Sequence, residues 1–84
     1  IKFDFILDDG PHTLESQVKF IQLYTNLLSE NGILIIEDVQ DISWFNILKN
    51  NTPDNLKKYI KIYDLRNNKN RYDDLVFTID KLNL

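Results

Sequence analysis

The chain has 84 residues, 43% of them hydrophobic and 27% charged, which is typical of one small folded domain rather than a disordered segment. Its net charge of −3 argues against nucleic acid as a partner, and no apolar run approaches the roughly 20 residues that cross a bilayer. The chain contains no cysteine, which excludes disulfides and thiolate metal sites. We therefore expect a cytoplasmic protein with neither nucleic acid nor a membrane as its partner.

The first feature is an apolar run, Phe3–Asp8, that ends in two adjacent carboxylates, Asp8 and Asp9. A Gly-Pro turn then leads to His12, the only histidine. The run is short and rich in β-forming residues, which predicts a strand buried on both faces. Groups just past the end of such a strand line the binding crevice of an open parallel α/β sheet.

A helix follows this turn. Thr13 is predicted to cap a helix that begins at Leu14 and carries an apolar stripe as far as Leu28. Asn31-Gly32 is predicted to stop it in the left-handed conformation. The next strand is expected over Ile33–Asp38, which completes a right-handed βαβ unit.

The second half of the chain predicts one more helix and a hairpin. Asp41 or Ser43 is expected to cap a helix that turns Ile42, Phe45 and Leu48 inward. A further helical turn is predicted from Thr52-Pro53 to about Tyr59. The last two strands, expected at Ile60–Leu65 and Leu75–Ile79, form an antiparallel hairpin around the polar turn at residues 67–70.

The element order β-α-β-α-β-β places the chain in the α/β class. We expect one mixed sheet in which Ile33–Asp38 lies parallel to Phe3–Asp8, and Leu75–Ile79 lies antiparallel between Ile33–Asp38 and Ile60–Leu65. This order is typical of the carboxyl-terminal half of a doubly wound sheet, so we interpret residues 1–84 as part of a larger domain.

Carboxylates follow both parallel strands of this predicted sheet. Asp8 and Asp9 end the first strand, and Glu37 and Asp38 end the second. Because parallel neighbours end at the same edge of a sheet, these four residues should meet there. Adjacent acids at a strand end are also common as solvated turn residues, and the second pair favours a metal site over that alternative.

Two segments resemble a known family. Residues 8–17, DDGPHTLESQ, resemble a DDGSHxxEHQ-like signature, and residues 27–38, LLSENGILIIED, resemble an LLKPGGxxxIED run. Both motifs belong to class I S-adenosylmethionine-dependent methyltransferases, in the branch of metal-dependent sugar and macrolide O-methyltransferases and cephalosporin-hydroxylase-like proteins. The resemblance implies the carboxyl-terminal half of a Rossmann-like methyltransferase sheet.

The resemblance also implies a site. Asp8, Glu37 and Asp38 would hold Mg²⁺ or Mn²⁺, whose preference for oxygen ligands agrees with this set. His12 would accept a proton from the hydroxyl of a small-molecule acceptor, such as a sugar, or would orient a water. S-adenosylmethionine would supply the methyl group, with Asp9 as the one candidate contact to this cofactor. Asp9 could instead brace the loop, and His12 could instead form a hydrogen bond at the start of the helix.

The sequence departs from the family pattern at several positions. Pro11 stands where Ser is usual, Ser16 where a second His is common, and Asn31 where the first Gly of the turn is usual. The chain has no Gly-rich G-x-G loop for the cofactor, which the resemblance places in the amino-terminal half of the domain. A non-catalytic assembly module and a hydroxylase-like enzyme therefore stay open, although a 2-His-1-carboxylate iron site needs one more histidine than the chain has.

The first strand also predicts an interaction between copies. Without a parallel neighbour on its free side, Phe3–Asp8 would leave unpaired backbone groups beside exposed apolar side chains. We expect this edge either to pair with another copy, which gives a homo-oligomer, or to be covered because the chain is one piece of a larger ordered chain.

Overall fold

The computed structural model describes residues 1–8, 10–64 and 75–82, so Asp9, Leu65 and the predicted hairpin turn lie outside the described residues. No helix in these ranges has the length and apolar character needed to cross a membrane. The regular elements are strand β1 (Phe3–Asp8), helix α1 (Leu14–Tyr24), a 3₁₀ turn (Thr25–Leu27), strand β2 (Leu28–Ile36), helix α2 (Trp44–Asn50), a 3₁₀ helix (Asp54–Tyr59), and strands β3 (Ile60–Asp64) and β4 (Leu75–Asp80).

The four strands form one mixed sheet in the order β1-β2-β4-β3. Strand β1 pairs parallel to β2, whereas β4 lies antiparallel between β2 and β3. The predicted strand order and directions are therefore confirmed. The fold is a small α/β fold with β1 and β3 at the two edges of the sheet.

The two faces of the sheet differ in burial. The register places Ile6 beside Leu34 and Ile36 beside Phe77 on one face, and all four are buried. The ring of Phe45 from α2 stacks on Phe77 with 6.5 Å between centroids, which places α2 on this face. On the opposite face, the alternation of side chains along β1 leaves three residues exposed. These three residues are Phe3 (47% exposed), Phe5 (59%) and Leu7 (41%). Strand β1 is therefore buried on one face only, and not on both faces as predicted.

Helix α1 begins as predicted and ends earlier than predicted. The Thr13 hydroxyl accepts a hydrogen bond from the backbone N–H of Ser16 at 3.2 Å, which caps the first turn. The helix ends at Tyr24, and Leu28 is the first residue of β2 instead of the last of the helical stripe. Pairing of Leu28 with Phe3 in the parallel ladder outweighs the helical periodicity here.

The predicted left-handed stop at Gly32 is wrong, because Gly32 lies inside β2 and has no positive φ. Leu28 pairs with Phe3, and Ile33 pairs with Phe5. The residues of β2 between Leu28 and Ile33 therefore form a bulge opposite Asp4 of β1. A Cβ at Gly32 would lie 2.6 Å from Cδ1 of Leu28 and 3.1 Å from the backbone oxygen of Phe3. Glycine is therefore required here by a close approach and not by a turn.

Helix α2 is confirmed, with Phe45 and Leu48 buried. Ser43 occupies the N-cap position but makes no side-chain capping bond, so the predicted cap is absent. In the turn before the helix, Oδ1 of Asp41 accepts hydrogen bonds from the backbone N–H and the hydroxyl of Ser43 at 2.8 and 2.7 Å. The hydroxyl bond and then the backbone bond lower the pKa of Asp41. The prediction that Ile42 points inward is wrong, because Ile42 lies in this turn before the helix and is 50% exposed.

Candidate functional site

Asp8 occupies the last position of β1 and is almost fully buried, with 8% of its surface exposed. Its Oδ1 accepts a hydrogen bond from the backbone N–H of Gly10 at 2.9 Å. Its Oδ2 is buried and has no hydrogen-bond partner among the described residues. A buried carboxylate oxygen without a partner is costly, so this atom is a strong candidate for contact with a ligand.

Glu37 and Asp38 follow β2 at the same edge of the sheet. Ile36, the last residue of β2, pairs with Asp8, and the two strands run parallel. The strand therefore ends two residues before the predicted Asp38. The reason is the backbone of Asp38, whose φ of 56° is left-handed and cannot continue a strand.

These two acids differ in exposure. The Glu37 side chain is exposed to solvent, whereas Asp38 is partly buried. Directly after them, the backbone N–H of Val39 donates to the backbone oxygen of Leu75 at 3.1 Å, which ties this loop to the start of β4. We refer to Asp8, His12, Glu37 and Asp38 together as the strand-end site.

His12 lies next to Asp38. Its Nε2 is 3.4 Å from Oδ2 of Asp38, and the two side chains are 46% and 31% exposed. The helix cap is made by Thr13, so the described contacts of His12 are with the strand-end site and not with the first turn of α1. An exposed imidazole at this position is of the residue type that acts as a general base.

Gln17 is a member of this region to which the sequence analysis assigned no role. It is fully buried, and its Nε2 donates to the backbone oxygen of Asp38 at 3.4 Å. Its Oε1 has no hydrogen-bond partner within the described ranges. The available signal was a polar residue on the buried side of the helix, between Leu14 and Ile21, where an apolar residue is expected.

A groove of about 650 Å³ runs from Asp8 between β1 and α1. Asp8 and Gly10 lie at one end of it, and apolar side chains of α1 form much of the wall. Phe20 and Tyr24 in this wall are in aromatic contact, with 5.0 Å between ring centroids. The groove is therefore polar at the strand end and along the first turns of α1, and apolar toward the end of the helix.

The structure brings the proposed ligands to one edge, but they do not form a compact cluster. Among residues 1–8, 10–64 and 75–82, no group of three or more His, Asp or Glu side chains is placed to hold a metal ion. Asp9, the candidate contact to a cofactor, lies outside the described residues. The contact that the structure does describe within the site is the pair His12–Asp38.

Comparison with protein-family models, with curated proteins and with solved structures finds no match to this chain.

Proposed function

We propose that this chain forms the metal and acceptor side of an S-adenosylmethionine-dependent, Mg²⁺-dependent O-methyltransferase that acts on a hydroxyl of a sugar or another small molecule. The observation that carries the proposal is the buried, unpartnered Oδ2 of Asp8 at the carboxyl end of a parallel strand. The resemblance of residues 8–17 and 27–38 to the family motifs supports the same function.

The donor set of the strand-end site fits Mg²⁺ or Mn²⁺ in its chemistry. Asp8 offers its Oδ2, and Glu37 and Asp38 offer carboxylate oxygens at the same edge of the sheet. Mg²⁺ and Mn²⁺ are hard cations that prefer oxygen ligands of this kind. Bound there, the ion would stabilise the negative charge on a deprotonated acceptor hydroxyl.

His12 is the proposed proton acceptor. Its exposed imidazole, which lies 3.4 Å from Oδ2 of Asp38, receives the proton of the acceptor hydroxyl at a ring nitrogen. The hydrogen bond from Gln17 to the backbone of Asp38 holds this carboxylate in position. S-adenosylmethionine would supply the methyl group, and the proposal assigns its Gly-rich loop to a segment outside residues 1–84.

A non-catalytic assembly module is the second candidate function. The exposed Phe5 and Leu7 on one face of β1 favour it, because a surface of this kind is typical of protein contacts. The two functions differ in their need for clustered carboxylates, so a metal titration separates them.

The test is binding of Mn²⁺ to the chain, measured by electron paramagnetic resonance and by line broadening in NMR spectra. We expect saturable binding, with the strongest broadening at Gly10 and His12. The Asp8→Asn variant keeps an acceptor for the Gly10 N–H and loses a charged ligand. It should bind Mn²⁺ about ten-fold more weakly or worse, since even outer partners of metal ligands contribute ten-fold or more.

The matched control is Asp4→Asn, which lies at the other end of the same strand. Asp4 accepts a hydrogen bond from the Ser29 hydroxyl at 2.6 Å, and an asparagine oxygen can accept the same bond. Asp4→Asn should therefore leave Mn²⁺ binding unchanged. Equal binding by wild type and Asp8→Asn, with both variants folded by circular dichroism, would contradict the metal site and favour the assembly module.

A further inference from the structure

We propose that Gln17 is a further ligand of the cation in the strand-end site, which it binds through its amide oxygen Oε1 together with Oδ2 of Asp8. Gln17 has no ion to bind without the proposed function, so this role rests on that function. Oδ2 of Asp8 and Oε1 of Gln17 are buried oxygens without a hydrogen-bond partner among the described residues. Asp8 is 8% exposed and Gln17 is fully buried, so solvent does not satisfy either atom.

The orientation of the Gln17 amide follows from its contact with Asp38. Nε2 of Gln17 lies 3.4 Å from the backbone oxygen of Asp38. A backbone oxygen can only accept a hydrogen bond, so the amide must turn its N–H group toward this oxygen and its Oε1 away from it. Oε1 therefore lies in the buried region, where an acceptor without a partner is costly.

Asp8 and Gln17 project into the same layer of the structure. Side chains alternate along a strand, so Asp8 lies on the same face of β1 as the buried Ile6, which is the face that the helices cover. Gln17 lies on the side of α1 that faces the sheet, because Ile21, one turn further along the helix, is also fully buried. Both side chains are therefore directed into the space between the sheet and α1.

The two residues also lie at the same end of the sheet. Asp8 pairs with Ile36, and Asp38, which accepts the hydrogen bond from Gln17, follows two residues later. Ser16, the residue before Gln17, lines the same groove as Asp8. The two unpartnered oxygens therefore share one layer and one edge of the sheet.

A cation satisfies both oxygens at once. A carboxylate oxygen and an amide oxygen can only accept hydrogen bonds, so neither can donate to the other. Mg²⁺ and Mn²⁺ take carboxylate and carbonyl oxygens as ligands. The alternative partner is a buried water that donates one hydrogen bond to each oxygen. The cation is favoured because Glu37 and Asp38 bring two more carboxylates to this edge, and a neutral water does not offset the repulsion among them.

Mn²⁺ binding to Gln17→Met and Gln17→Glu, measured by electron paramagnetic resonance, tests this role. Methionine has no oxygen to offer, so Gln17→Met should bind Mn²⁺ about ten-fold more weakly or worse. Glutamate offers a carboxylate oxygen at the same position, so Gln17→Glu should restore binding. The glutamate carboxylate cannot donate to the backbone of Asp38. Equally weak binding by both variants would therefore overturn the ligand role and leave Gln17 a positioning residue for Asp38.

Gln22→Met is the matched control on the same helix. Nε2 of Gln22 donates to Oδ1 of Asn51 at 3.3 Å on the exposed side of α1, so this variant also loses a glutamine hydrogen bond but should bind Mn²⁺ like the wild type. Binding that Asp8→Asn weakens and Gln17→Met leaves unchanged would overturn the role of Gln17 and keep the proposed function. That result is the one expected for the bridging water. No binding by the wild type would overturn both.

Electron–nuclear double resonance gives a direct measurement on the wild type, which does not depend on the folding of any variant. With ¹³C at the side-chain carbonyl of glutamine, bound Mn²⁺ should show a ¹³C coupling from a ligand amide. Gln17→Glu should lose this coupling while it still binds Mn²⁺. The proposal is wrong if the wild type shows no coupling or if the coupling persists in Gln17→Glu.

Discussion

Replacing Gly32 with alanine should destabilise the fold, because the position is crowded by two neighbours. The new Cβ would lie 2.6 Å from Cδ1 and 3.0 Å from Cγ of Leu28, and 3.1 Å from the backbone oxygen of Phe3. Leu28 is 3% exposed and belongs to the core, so its side chain has little room to move. The alanine therefore forces either the core or the β1–β2 ladder to shift.

The expected magnitude follows from two opposing effects. Overpacking of this kind costs about 1–3 kcal/mol. Alanine also restricts the unfolded chain relative to glycine, which contributes about 0.4–1 kcal/mol in the opposite direction. The steric cost is the greater of the two, so we expect the free energy of unfolding to fall by about 1–2 kcal/mol.

Urea unfolding followed by circular dichroism measures this change, with Gly10→Ala as the matched control. At Gly10 the nearest atoms to a new Cβ are Oδ1 of Asp8 at 3.3 Å and Oγ of Ser16 at 3.6 Å, so the cost should be smaller than at Gly32. The double variant Leu28→Ala/Gly32→Ala tests the mechanism, because it removes the crowding side-chain atoms of Leu28 and leaves only the backbone oxygen of Phe3. Its cost should be smaller than the sum of the two single costs by about 1 kcal/mol. Strict additivity would refute the steric explanation.

Two further predictions concern local contacts. Thr13→Ala removes the cap of α1 and should lower the free energy of unfolding by about 1 kcal/mol, whereas Thr13→Ser should restore it; thermal denaturation of both variants checks this. Ser43→Ala removes the hydroxyl bond that lowers the pKa of Asp41, so this pKa should rise toward its ordinary value in an NMR titration. A carboxyl group whose pKa is lowered by folding stabilises the fold at a pH above its unfolded-state pKa. This stabilisation disappears as the pH falls through the folded-state pKa. Because Ser43→Ala lacks part of it from the start, the variant should lose less stability in acid than the wild type. An unchanged Asp41 titration in Ser43→Ala would contradict the assigned cause.

Parts of the candidate site could be predicted from the sequence, and parts could not. The positions of Asp8, Glu37 and Asp38 at one edge follow from two apolar runs that each end in acids, and the parallel pairing of Asp8 with Ile36 agrees with this. The contact between His12 and Asp38 joins two separate segments of the chain, so no local pattern indicates it. The role of Gln17 was also missed, because its partner is a backbone oxygen 21 residues away.

The sequence alone determined the elements whose signals are local. Three such features are the bounds of β1, the cap of α1 at Thr13, and the helix with Phe45 and Leu48 buried. Each of them depends on neighbours within a few residues. Caps and periodic apolar positions act over that short range, so they can be read before any tertiary contact is known.

The tertiary structure alone decided where β2 begins and which face of β1 is covered. Leu28 is a good helix residue by its spacing, yet it enters β2 because Phe3 is available as a partner in the ladder. Gly32 is needed because Leu28 and Phe3 crowd it from two separate segments. Phe5 and Leu7 are as apolar as Ile6. They are exposed only because the helices pack on the opposite face of the sheet, where Ile6 lies. Burial and strand register depend on contacts between residues far apart in the chain, and these contacts override local preference wherever the two disagree.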